Sequence, residues 1–154
     1  MEKILVSACL LGEKVRYDGG AATSDDPALQ RWLDEGRVVS FCPEVAGGLG
    51  TPRPRAERRG PLVMTEQGVD VTAAFDRGAA LALETARRLR IRIAVLKEGS
   101  PSCGSSEVHD GTFCGRRVPG AGVTTDLLRA SGIRVFSDRQ LADADACLSA
   151  LETS

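Results

Sequence analysis

Apolar residues fall in short runs along this chain, separated by polar or glycine-rich stretches. Lys3–Ala8 carries Ile4, Leu5 and Val6 in succession and reads as a buried strand. Asp26-Pro27 supplies an N-cap and a first helical residue. Leu29, Trp32 and Leu33 then share one helical face, and Gly36 closes the helix. Arg37–Phe41 is a second strand, and Pro43–Gly60, rich in Gly, Pro and Arg, reads as a long loop. Leu62–Thr65 and Val69–Val71, joined across Glu66-Gln67-Gly68, suggest a small hairpin. Thr72–Arg90 has the longest helical pattern, with Phe75, Ala79, Ala82, Leu83, Ala86 and Leu89 on one face. Cationic Arg87, Arg88 and Arg90 lie near its end, where the helix dipole favours them.

Ile91–Leu96 is a third strand, and Lys97–Gly120 a second long loop. A helix around Thr125–Ala130 and a strand at Ile133–Phe136 follow. Ser137-Asp138-Arg139-Gln140 is a capping box opening a last helix, whose inner face is Leu141, Ala144, Leu148 and Leu151. Strands thus alternate with helices. The pattern predicts an α/β fold: a single-domain, Rossmann-like parallel sheet of about four strands, helices on both faces and a small β-hairpin insertion, spanning 1–154.

The length of 154 residues suffices to close a core without staples. Net charge is −1, which gives no global reason to expect nucleic-acid or anionic-membrane binding. No apolar run approaches the roughly 20 residues of a membrane-spanning helix. Val6-Ser7-Ala8-Cys9 looks like the box before a lipidated cysteine, but only eight residues precede Cys9, too few for a secretory signal. The expectation is a cytoplasmic protein with no obligatory protein partner.

Five cysteines then need a role other than disulfides: Cys9, Cys42, Cys103, Cys114 and Cys147. Cys9 and Cys42 directly follow the first two strands, and Cys103 lies in the loop after the third. In a parallel sheet these ends share one edge, the edge where ligands bind. Cys114 sits deep in the loop, and Cys147 falls on the buried side of the last helix, where a thiol packs as a small hydrophobe. Three converging thiolates repel one another without a metal. Zinc would accept them, completed by water or by His109, the only histidine; an iron–sulfur cluster would accept them too.

Around these cysteines stand other reactive types. Glu44 lies two residues beyond Cys42 and suits general acid–base chemistry. Gly47 and Gly48 allow a ligand to approach the backbone, and Arg53 and Arg55 suit a polar or anionic group. Ser100 and Ser102 flank Cys103 with hydroxyls.

Taken in order, Cys9-Leu10-Leu11-Gly12 with Arg16-Tyr17-Asp18-Gly19, Cys42-Pro43-Glu44-Val45 with Gly47-Gly48-Leu49 and Thr51-Pro52-Arg53, Leu96-Lys97 with Ser100-Pro101-Ser102-Cys103-Gly104, Asp110-Gly111-Thr112-Phe113 and Gly122-Val123-Thr124 resemble one bacterial family, the thiouracil desulfidases. The resemblance covers nearly the whole chain. It implies a [4Fe–4S] cluster held by Cys9, Cys42 and Cys103, with Glu44 and Ser100 catalytic; on the chemistry of the loop residues themselves, Gly47, Gly48, Arg53 and Ser102 are expected at the substrate. It also implies non-redox removal of sulfur from a thiolated pyrimidine base, nucleoside or nucleotide, C=S becoming C=O with release of sulfide. Two positions depart from the family pattern: His109 stands where tyrosine is more usual, and Cys114 where a small polar residue is. Two rival readings use the same residues, a non-catalytic zinc module on the three cysteines and a sulfurtransferase with Cys114 as persulfide-forming nucleophile.

Overall fold

The computed structural model describes residues 1–153. Its central sheet has four parallel strands in the order β2-β1-β5-β8, formed by β1 (Ile4–Ser7), β2 (Val38–Phe41), β5 (Ile93–Leu96) and β8 (Arg134–Ser137). The two inner strands are buried on both faces, which is why each reads as a continuous apolar run. Their period-two alternation then divides the core. Ile4, Val6, Ile93 and Val95 pack with Leu29 and Trp32 of α1 (Pro27–Asp34) and with Leu141, Ala144 and Leu148 of α5 (Leu141–Glu152). Leu5, Ala94 and Leu96 face the other way, onto Ala82, Leu83 and Ala86 of α3 (Thr72–Arg88) and Leu128 of α4 (Val123–Ala130). Among the described residues no helix is long and apolar enough to cross a membrane.

The local signals mostly perform as expected. The Asp26 carboxylate accepts from Ala28 N at 2.9 Å ahead of Pro27, capping α1. The capping box before α5 closes on itself: Ser137 Oγ accepts from Arg139 N at 3.1 Å, and Gln140 Oε1 accepts from Ser137 N at 3.0 Å. Helix α3 ends without glycine. Arg90 takes a left-handed φ of 57°, and Ile91 N reaches back to Ala86 O at 2.7 Å.

Three expectations need correction. Leu33 is 41% exposed, because Leu29 and Trp32 alone fill the α1 contact. The hairpin pairs β3 (Ala56–Arg59) with β4 (Leu62–Thr65), so part of the first loop is strand. The expected turn across Glu66-Gln67-Gly68 also forms: Thr65 N donates to Val69 O at 2.8 Å and Val71 N to Val63 O at 2.9 Å, around the antiparallel bridge of Met64 with Asp70. The second loop also contains an antiparallel pair, β6 (Glu107–His109) with β7 (Arg117–Pro119), and a short helix α2 (Pro43–Ala46) follows Cys42.

Candidate active site

Cys9 sits in a turn of 3-10 helix directly after β1, Cys42 is the residue before α2 directly after β2, and Cys103 lies in the loop after β5. The three strands are neighbours, so the three thiols arrive together at the carboxyl edge of the sheet. All three line one cavity of about 280 Å³, together with Glu44, Ser100, Arg16, Lys97, His109 and the apolar faces of Phe41, Leu49 and Phe75.

Close backbone packing sets the positions of the loops. Gly47 and Gly78 let α2 lie directly on α3: a Cβ at Gly78 would stand 1.9 Å from Pro43 O, and one at Gly47 2.1 Å from Ala74 O. The N-terminus of α4 holds the Cys103 loop, with Thr124 N donating to Ser102 O at 2.9 Å and Thr125 Oγ1 to Cys103 O at 3.1 Å. Glu98, 5% exposed, folds the start of that loop around its carboxylate. It accepts from the backbone N of Gly99, Ser105, Ser106 and Glu107 and from both serine hydroxyls. Desolvation opposes its charge, but these donors more than compensate and bring its pKa down to about 2. Glu57, 1% exposed, does the same for the next segment, accepting from Gly111 N and Phe113 N.

Burial pushes the Cys9 thiol up to about 11, with a further rise from Cys42; Lys97 and Arg16 oppose it. Burial also raises Cys42, next to Glu44, while the backbone amides of Val45 and Glu44 pull it down. Cys103 is raised as well, by burial and then by Glu44, Cys42 and Cys9, against a hydrogen bond with Ser7. Cys9 feels Cys42, and Cys103 feels both Cys42 and Cys9, so ionising all three requires a compensating cation. The donor set is three soft sulfurs, which suits an iron–sulfur cluster. As the side chains stand, no three His, Cys, Asp or Glu among the described residues form a group fit for one metal ion.

Glu44 is the polar centre of the cavity. Its Oε2 accepts from Arg53 Nε at 2.9 Å and pairs with Nη2, while its Oε1 accepts from Ser100 Oγ at 3.3 Å. Ser100 Oγ in turn accepts from Ser102 N and Cys103 N at 3.1 and 3.2 Å, so one hydroxyl connects the carboxylate to the Cys103 turn. The remaining donors of Arg53 go to Val15 O, Gly50 O and Thr51 Oγ1. All five of its N–H bonds are thus spent on protein acceptors.

Sequence reasoning placed Gly47, Gly48, Arg53 and Ser102 at the substrate, and the structure gives them other partners. Gly47 and Gly48 pack against α3, where Arg77 Nη1 donates to Gly47 O at 2.6 Å. Ser102 is fully buried with its Oγ 2.7 Å from Thr124 Oγ1, away from the cavity wall. Arg53 faces the cavity but serves Glu44. Of the other cysteines, Cys114 is exposed and outside the cavity, and Cys147 lies in the α1–α5 core. Glu98 and Ser7 went unnoticed in the sequence. A buried serine closing the apolar run of β1, beside a cysteine, was the available signal for Ser7.

Comparison with known proteins places this arrangement. The model of the family described as 2-thiouracil desulfurase matches residues 4–140, and the chain belongs to that family of enzymes. It is 41% identical over 150 residues to the uncharacterized protein YbbK of Bacillus subtilis (strain 168), covering 91% of this chain and 98% of that one. Among solved structures it is similar to the [4Fe-4S]-dependent thiouracil desulfidase TudS, at a TM-score of 0.96 and 56% identity, covering 97% of this chain and 99% of the other.

Proposed function

We propose that residues 1–154 act as one desulfidase unit that holds a [4Fe–4S] cluster on Cys9, Cys42 and Cys103. It would replace C=S by C=O on a thiolated pyrimidine and release sulfide, without net redox change. The observation carrying this reading is that three thiols and a hydrogen-bonded Glu44–Ser100 pair share one cavity at the carboxyl edge of the sheet. A cluster with three protein thiolates supplies an iron that lacks a protein ligand, a Lewis-acid position with affinity for soft sulfur.

The chain's own residues do the rest. Phe41, Leu49 and Phe75 offer apolar wall to a flat ring. Arg53 fixes Glu44 Oε2, which leaves Oε1 to exchange protons through the Ser100 hydroxyl. Glu44 takes a proton from water as the water oxygen adds to the thiocarbonyl carbon and returns it to sulfur; it then takes the proton of the new hydroxyl as C=O forms and the C–S bond breaks, and passes it to the departing SH. One water is consumed and one hydrogen sulfide leaves.

The test is anaerobic purification with iron and sulfide analysis, followed by a thiopyrimidine panel read for sulfide and oxo product. Equal iron and labile sulfide, lost in Cys42→Ala and kept in Cys114→Ser, with turnover of a thiopyrimidine, is the expected result. A colourless zinc protein without turnover refutes the reading.

A further inference from the structure

His109 lines the cavity, and the chemistry above leaves it without a role. Its Nδ1 is buried and, among the described residues, is the only buried side-chain nitrogen or oxygen with no hydrogen-bond partner. Folded proteins pair nearly all such atoms, and an exception asks for a partner from outside the chain. The backbone on either side of the histidine is held in place. β6 is fixed before it, where Ser105, Ser106 and Glu107 are tied to Glu98, and after it, where Gly111 and Phe113 are tied to Glu57. His109 pairs with Arg117 across β7, and Val108 bridges to Gly99, the neighbour of Ser100. The cavity wall therefore runs from the thiols through Ser100 and Gly99 to His109.

A pyrimidine ring has alternating N–H donors and carbonyl acceptors on its edge, and an imidazole nitrogen can serve either. We propose that His109 is a substrate-recognition residue whose imidazole, turning in the cavity wall to bring the enclosed and unpartnered Nδ1 to the opening, hydrogen-bonds the polar edge of the thiopyrimidine ring. That bond fixes which thiocarbonyl reaches Glu44 and Ser100. The proposal rests on the desulfidase reading for its ligand, and it makes His109 a determinant of ring orientation rather than a metal ligand.

The test uses the cluster-loaded full chain as wild type, His109→Phe, His109→Leu and His109→Gln. Iron content is measured first, then the Kd of uracil by calorimetry, then KM and kcat for 2-thiouracil and 4-thiouracil. The two apolar variants should keep their iron and raise the uracil Kd and the KM roughly 3–10-fold, the scale of one neutral hydrogen bond. Their kcat should stay within about two-fold, and the preference between the two isomers should shift. Gln, which offers both a donor and an acceptor, should recover most of the loss. Either apolar variant, if folded, with unchanged uracil Kd and KM overturns the proposal. A wild type that binds uracil but turns over no thiopyrimidine refutes the desulfidase reading alone, because the uracil Kd still reads the His109 contact. A wild type that turns over thiopyrimidines while the folded apolar variants keep its KM and its isomer preference refutes the His109 contact alone.

Discussion

Replacing Arg53 by methionine tests whether the polar half of the site depends on one side chain. Methionine keeps the unbranched stem and removes the guanidinium. Glu44 then loses its charge partner, and Val15 O, Gly50 O and Thr51 Oγ1 each lose a donor. The side chains of Arg53 and Glu44 are 7% and 14% exposed. Breaking a fully buried pair costs about 3–5 kcal/mol; with the cavity beside it, the lower end of about 3 applies. The three neutral acceptors lie near the surface, where water replaces part of the loss, and add about 1 kcal/mol together. A total of about 3–4 kcal/mol lowers Tm by roughly 6–16 °C for a chain of this size. Thermal unfolding of the metal-free protein by circular dichroism measures it. Combining Arg53→Met with Glu44→Gln should restore about 1.5–3 kcal/mol, because the stranded charge disappears with its partner. An Arg53→Met protein melting within about 2 °C of wild type, or a double variant whose losses simply add, refutes the reasoning.

Glu44→Gln keeps the shape and removes the titrating proton, so iron content should stay normal while turnover falls roughly 10²–10⁴-fold in the same anaerobic assay. Glu98 has its folded pKa depressed from 4.5 to about 2, so its stabilising effect is complete above pH 4.5 and is lost as pH falls toward 2. The difference sets an upper limit of about 3 kcal/mol, reduced by solvent at the loop. Acid titrations of Glu98→Gln should therefore be flatter than wild type between pH 4.5 and 2, and parallel curves would count against the assignment. Gly78→Ala should cost about 1–3 kcal/mol in denaturant unfolding, because its Cβ meets Pro43 backbone rather than a movable side chain. It should also impair iron loading by displacing Cys42, and normal loading would show that α2 tolerates the shift.

The strands and the three converging cysteines were legible because apolar runs and the residues that end them are local signals. Ile4–Ser7 and Ile93–Leu96 announce themselves by composition, and Cys9 and Cys42 follow strands directly. β3 was not legible. Ala56-Glu57-Arg58-Arg59 looks solvated, yet Glu57 is buried because two backbone amides from the 111–113 segment satisfy it. The same blind spot hid Glu98. A carboxylate that organises a loop is chosen by donors distant in sequence, and no periodicity records them. Arg53 was legible as a cation but not in its orientation, and Gly47 was legible as permissive without showing that a helix backbone, not a ligand, fills the space.

The order β2-β1-β5 has a consequence for assembly. The three thiols are 33 and 61 residues apart along the chain (9 to 42, then 42 to 103) and meet only when three parallel strands have paired. Each pairing requires a complete crossover, so no fragment brings the three thiols together early. Cys9, Cys103 and the core residue Cys147 belong to the two apolar layers on the faces of the sheet, but the other members of those layers are aliphatic and aromatic, and folding has its driving force without iron. This is the opposite of a zinc finger, where the metal organises an otherwise unfolded chain. With the three cysteines as proposed ligands, iron would enter a finished scaffold as the last event of maturation, and a molecule stripped of iron would remain folded and able to be loaded again.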